Sequence, residues 1–157
     1  MRKIACLVAL MALSSPLSAQ ESLGVYVDWA AFRDADGTRC YAISKPVGDG
    51  SNGAYASVAN WPKRGIRGQF HIRLPAAPRA ASVRLRIGGR NFSLVTRGRD
   101  AWAKDRQMDA AIVAALRSAQ RMTVSGRDKN GRRFTAQYDL VGIATAIDAS
   151  IVGCTSA

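Results

Sequence analysis

The clearest periodicity in the chain runs from Ser82 to Ile87, where Val83, Leu85 and Ile87 alternate with Ser82, Arg84 and Arg86. Strict alternation predicts a strand with one buried face. The apolar set must be the buried one, because a slip of one residue would bury two arginines. Gly88-Gly89-Arg90-Asn91 then turns the chain back into Phe92 to Arg97, a hairpin by spacing and composition. Gly68 to Leu74 repeats the pattern, with Phe70, Ile72 and Leu74 inward and Gln69, His71 and Arg73 outward.

Weaker segments fill in the rest. Gly24 to Phe32 reads as a first strand, with Val25, Val27 and Trp29 on one face and Tyr26, Asp28 and Ala30 on the other. Asp34-Ala35-Asp36-Gly37 is a turn into the strand Thr38 to Lys45, in which Thr38, Cys40, Ala42 and Ser44 oppose Tyr41 and Ile43. The stretch from Pro46 to Gly53 is a glycine-rich loop, and Ala54 to Trp61 a third strand that Pro62 stops. Met122 to Ser125 and Arg133 to Tyr138 flank the turn Asp128-Lys129-Asn130-Gly131 as two further strands.

Two stretches change period. After Asp105, a predicted N-cap, Met108, Ala111, Ile112, Ala115, Leu116 and Ala119 fall three and four apart, with Asp109 in the first turn and Arg117 near the last. Asp139 is predicted to cap a second helix carrying Leu140, Ile143, Ala144, Ile147 and Ile151 and ended by Gly153. Its length and its interior Asp148 exclude a membrane span. Many short strands with two helices predict a mainly β chain. The expected architecture is a single-domain, immunoglobulin-like β-sandwich with one helix between strands and one at the C-terminus.

The N-terminus sets the expected compartment. Arg2 and Lys3 precede the apolar run Ile4 to Leu13, and Ser14 to Ala19 supply a breaker and small residues. This is the pattern of a cleavable signal peptide over residues 1–19, which leaves a mature domain of 20–157 beginning at or near Gln20. Cys6 lies ahead of the apolar run's end and cannot serve as a lipid-anchored first residue. The formal net charge of +12 then loses Arg2 and Lys3 and becomes +10. Two cysteines remain, Cys40 and Cys154, and in an oxidising compartment they are expected to pair. The expected location is the periplasm, or secreted and surface-associated.

The residues also form an ordered pattern. Trp29 is followed by Cys40-Tyr41 with Ser44-Lys45-Pro46, then Ala101-Trp102 before a helix, then Met122-Thr123-Val124-Ser125-Gly126. Tyr138-x-Leu140-x-Gly142, an alanine-rich helix and Cys154 complete it. In this set the chain resembles the invasion-associated locus B family of exported proteobacterial proteins. Members often carry a further cysteine soon after the first tryptophan, where this chain has Phe32 and Arg33, so the family's bridge pattern does not transfer whole. The resemblance implies a compact β-sandwich, a cell-envelope location and a non-catalytic role linked in some bacteria to host-cell invasion and virulence.

Candidate chemistry is sparse. His71 is the only histidine and lacks the partners of a triad or a zinc site. Twelve-residue calcium loops opening at Asp34 or Asp49 would end at Lys45 or Asn60, without the bidentate Glu. Gly88-Gly89 lacks phosphate-loop spacing, and Glu21 is the only glutamate. No enzyme, cofactor or metal is therefore expected. The alternative is an envelope hydrolase, or an accessory subunit of an envelope enzyme, using scattered aspartates.

Arginine is the remaining signal. Arg73, Arg84, Arg86, Arg90, Arg132 and Arg133 are the candidate anion-binding residues, because a strongly basic small domain attracts polyanions. For an exported chain the expected partners are lipopolysaccharide, host glycosaminoglycans or envelope proteins. Nucleic acid is not expected, since Phe92, Trp102 and Tyr138 sit in apolar patterns that read as core rather than as a stacking platform.

Overall fold

The computed structural model describes residues 20–48, 52–79 and 82–155. Five strands follow one another as an antiparallel meander: β1 (Glu21–Tyr26), β2 (Trp29–Arg33), β3 (Cys40–Ser44), β4 (Tyr55–Trp61) and β5 (Ile66–Arg73). The chain then builds a hairpin of β6 (Arg84–Ile87) and β7 (Arg90–Ser93), and a second of β8 (Val95–Arg97) and β9 (Asp100–Trp102). Helix α1 (Arg106–Ser118), strands β10 (Arg121–Arg127) and β11 (Arg133–Asp139) and helix α2 (Ile143–Thr155) complete it. The large sheet has the order β1-β2-β3-β4-β5-β9-β8, the small one β11-β10-β6-β7. The mainly β, two-sheet, two-helix reading holds.

Alternation determines which faces meet. Phe70, Ile72 and Leu74 of the β5 stretch are fully buried, as are Leu85 and Met122, while Arg84 and Arg86 are exposed. The inner faces of both sheets share one core with Trp29, Val124 and Tyr138. From α1 the core receives Ile112 and Leu116, and from α2 Ile143 and Ile147. Asp105 caps α1 as expected: its carboxylate accepts the Met108 N–H at 2.8 Å. Helix α2 lies against β1, β2, β3 and β4. It is fastened there by the Cys40–Cys154 disulfide, whose Cα atoms are 5.7 Å apart, and by a buried hydrogen bond from the Asn60 amide to Ser150 Oγ.

Several expectations are corrected. Gly24 to Phe32 is not one strand: Val27 and Asp28 form a two-residue reversal that pairs Tyr26 with Trp29. Residues paired across such a turn share a face, so Tyr26 goes with Trp29, whereas Val25 and Val27 are 72% exposed. Phe92 to Arg97 is also interrupted. Leu94 is buried where the chain leaves the small sheet for the large one. Asp139 ends β11 rather than capping α2, which starts at Ile143. Gly153 lies within α2, and Ile151 stands 42% exposed. Residues 1–19 lie outside the described residues. Among those described, no helix is long and apolar enough to cross a membrane.

One core group is chemically isolated. The Tyr138 phenol is buried with no hydrogen-bond partner among the described residues, and burial pushes its pKa upward. An unpaired buried hydroxyl costs about 1–3 kcal/mol in desolvation. Tyr138→Phe is therefore expected to keep the fold and raise the unfolding free energy by about 1 kcal/mol, read from urea denaturation. A loss of stability would mean that the hydroxyl is satisfied.

Candidate functional site

The outer face of the small sheet is built by the parity that buries its inner face. With Leu85, Met122 and Val124 inward, the outward set is Arg84 and Arg86 on β6, Arg121, Thr123, Ser125 and Arg127 on β10, and Arg133, Thr135 and Gln137 on β11. Arg84 lies opposite Ser125 and Arg86 opposite Thr123. Arg127 pairs directly with Arg133. Two residues along a strand are about 7 Å apart, and diagonal neighbours on adjacent strands about 7–8 Å. Arg84, Arg86, Arg127 and Arg133 thus carry four guanidinium groups over one hydroxyl-rich surface. The carboxylate on this face is Asp139, held by Arg121 at 3.6 Å. Like charges opposite one another in a sheet are unfavourable, so the Arg127–Arg133 pair costs the free protein something that a bound anion would relieve.

The sequence-derived set divides. Arg84, Arg86 and Arg133 share this face, and Arg132 stands at its rim, in the turn where Asp128 accepts its backbone N–H. Arg90 does not share it. Its partner across the hairpin is buried Ile87, so it points to the opposite side, over the Phe92 ring at 5.3 Å and toward the Ala111 carbonyl. Arg73 is on the other sheet altogether, ion-paired to Asp100 at 3.1 Å. Arg121 and Arg127 were absent from that set, although their alternation with Met122 and Val124 was the signal that places them outward.

The large sheet's outer face is different in kind. His71 sits between Tyr55, at 5.5 Å, and Trp102, at 5.2 Å, with Nε2 3.0 Å from an Asp100 oxygen. Its side chain is 18% exposed, and burial lowers its pKa against the opposing pull of Asp100. Trp102 is thus a half-buried surface ring, whereas Phe92 and Tyr138 are core as expected. Arg39 stacks on Tyr41 at 4.2 Å and reaches Trp61 at 5.3 Å. Among the described residues no group of three or more His, Cys, Asp or Glu converges as a metal site would require.

Against known proteins, a family model described as the invasion associated locus B (IalB) protein matches residues 28–150. No curated protein matches the sequence. Among solved structures, the chain is similar to the crystal structure of invasion associated protein b from Bartonella henselae. The TM-score is 0.61 at 18% identity, covering 86% of this chain and 97% of that one. That likeness is one of fold, and it agrees with the span of the sequence match. The chain belongs to the invasion associated locus B family.

Proposed function

We propose that this is an exported, non-catalytic binding protein of the cell envelope that holds phosphorylated or sulfated polysaccharide on the outer face of its small sheet. The observation that carries the reading is the set Arg84, Arg86, Arg127 and Arg133 on one exposed face whose carboxylate, Asp139, is already engaged. Charges spaced over a sheet face suit a multivalent chain, with phosphate in lipopolysaccharide and sulfate in host glycosaminoglycan as two sources of one chemistry. The name of the Bartonella relative, an invasion associated protein, supports a role at the host-facing surface. The disulfide and the family support export.

The hydrolase reading has less beneath it. Glu21 and Asp148 line one hollow beside α2, but each is ion-paired, to Arg33 and Arg117 respectively. The Arg117 hydrogen bond holds the Asp148 carboxyl below its usual range. A general acid needs a shift in the opposite direction.

Two measurements test the proposal. Intact mass of protein recovered from the periplasm should place its N-terminus at or beside Gln20, and a chain retaining Leu7 to Leu13 would refute cleavage. Arg84→Glu with Arg86→Glu should leave the melting temperature nearly unchanged, because both side chains are exposed. The same pair should abolish low-salt retention on immobilised heparin and on lipopolysaccharide. Loss on one matrix alone would identify the source. Unchanged retention on both would refute the face as the binding site.

A further inference from the structure

A second site lies away from the arginine face and shares no residue with it. Residues of α1, α2 and the start of β5 together border a cavity of about 570 Å³. That is within the range of sites that enclose small ligands. Its walls are apolar: Val113 and Ala114 from α1, Ile147 and Ile151 from α2, and Ile66 from β5. The spacing explains this. Ala110, Val113, Ala114 and Arg117 fall three and four apart on α1, as Ile147 and Ile151 do on α2, so each helix turns one stripe toward the gap. Cys154 is also in the wall, and its bond to Cys40 fixes the C-terminal turn of α2 against the sheet.

The polar lining is three arginines and two neutral residues, Asn60 and Thr155, whose side chains are hydrogen-bonded within the protein. Arg67, Arg106 and Arg117 all border the cavity. Arg117 is engaged by Asp148 at 2.6 Å, while Arg67 and Arg106 have no ion-pair partner among the described residues. Among the described residues no carboxylate lines the cavity. An apolar trough with two uncommitted guanidinium groups complements a molecule with an apolar chain and an anionic head. A neutral sugar would leave the apolar walls unused, and an acidic peptide would bring backbone groups that these walls cannot satisfy.

We propose that the cavity binds a single-chain acyl anion, with the hydrocarbon between α1 and α2 and the carboxylate or phosphate on Arg67 and Arg106. Ala110 and Ala114 are exposed small residues at the mouth, so the trough can be filled from α1 without disturbing the core.

The test uses the oxidised mature protein and displacement of cis-parinaric acid, whose fluorescence rises in apolar sites. Saturated fatty acids of increasing length should compete with affinity rising roughly three- to fourfold per methylene until the trough is full. Dodecanoate should outcompete dodecanol by roughly tenfold, the worth of a charge-assisted hydrogen bond. Arg67→Glu with Arg106→Glu should erase that difference and leave dodecanol unchanged. Dodecyl phosphate beside dodecanoate distinguishes a phospholipid-derived ligand from a free fatty acid. Ala114→Trp, or Ala110→Trp should the first fail to fold, should abolish probe binding with an unaltered circular dichroism spectrum. Absence of saturable probe binding, equal affinity for dodecanoate and dodecanol, or full binding in the folded tryptophan variants would each overturn the proposal. So would a tryptophan variant that only changes the association state, which would make the trough a contact between copies of this chain.

Discussion

Replacing Cys154 by serine should lower the unfolding free energy by about 4–5 kcal/mol, the chain-entropy value for a loop of this length. The two cysteines are 114 residues apart in sequence, so the bond closes nearly all of the folded domain into one loop and removes a large share of the unfolded chain's freedom. Cys40→Ser should cost somewhat more. Cys40 is fully buried, and a hydroxyl there lacks an assured partner. The folded state itself should change little in either variant, because α2 remains docked through Ile143, Ile147 and the Asn60–Ser150 hydrogen bond. Urea denaturation of wild type with and without reductant, beside both serine variants, checks this. Equal midpoints for the oxidised and reduced wild type would show that the bond contributes nothing.

Gly142→Ala should be the next most damaging change, at about 3 kcal/mol or more. Two costs combine. Gly142 has φ +90°, a conformation that residues with a side chain rarely adopt. A Cβ there would also overlap the Tyr26 carbonyl oxygen and lie 2.7 Å from its carbon. The atoms in the way belong to the backbone of the β1–β2 hairpin, so relief requires that hairpin to move off the turn between β11 and α2. Gly131→Ala is the control. It has φ +79° with no atom of the described residues within 4 Å of its would-be Cβ, and should cost only about 1 kcal/mol. Similar losses for the two variants would show that the contact with Tyr26 does not matter.

Gly142 also illustrates where sequence is informative. It was visible as the last residue of a Tyr-x-Leu-x-Gly pattern, but its reason, a carbonyl more than a hundred positions away, is a tertiary contact. Local alternation was decisive where one face is fully buried and the other polar, whether that polar face is open to water, as at Val83 to Ile87, or half-covered, as at Phe70 to Leu74. It failed at Val25 to Trp29, because the reversal at Val27-Asp28 carries none of the glycine or asparagine that marks a two-residue turn. It failed again at Leu94, where one apolar residue serves as a crossing between sheets. The candidate site shows the same limit. Arg84, Arg86 and Arg133 could be placed outward from their own neighbours, but the assignment of Arg73 to the other sheet depends on strand order. Trp102 was misplaced as core because the alternation there is too short: β9 has three residues, and Ala101 rather than Trp102 points inward.

The central claim is that the small sheet's outer face is where the polyanion rests. Amide and arginine side-chain NMR of the mature protein, titrated with a heparin oligosaccharide at low salt, tests it most directly. The account predicts that the largest shift changes fall on Arg84, Arg86, Arg127 and Arg133 and on Thr123 and Ser125 between them, and that they fade together as salt is raised and screening shortens the reach of the charges. Shifts centred instead on Arg39, Arg73 and Trp102 would contradict it and move the binding surface to the opposite sheet.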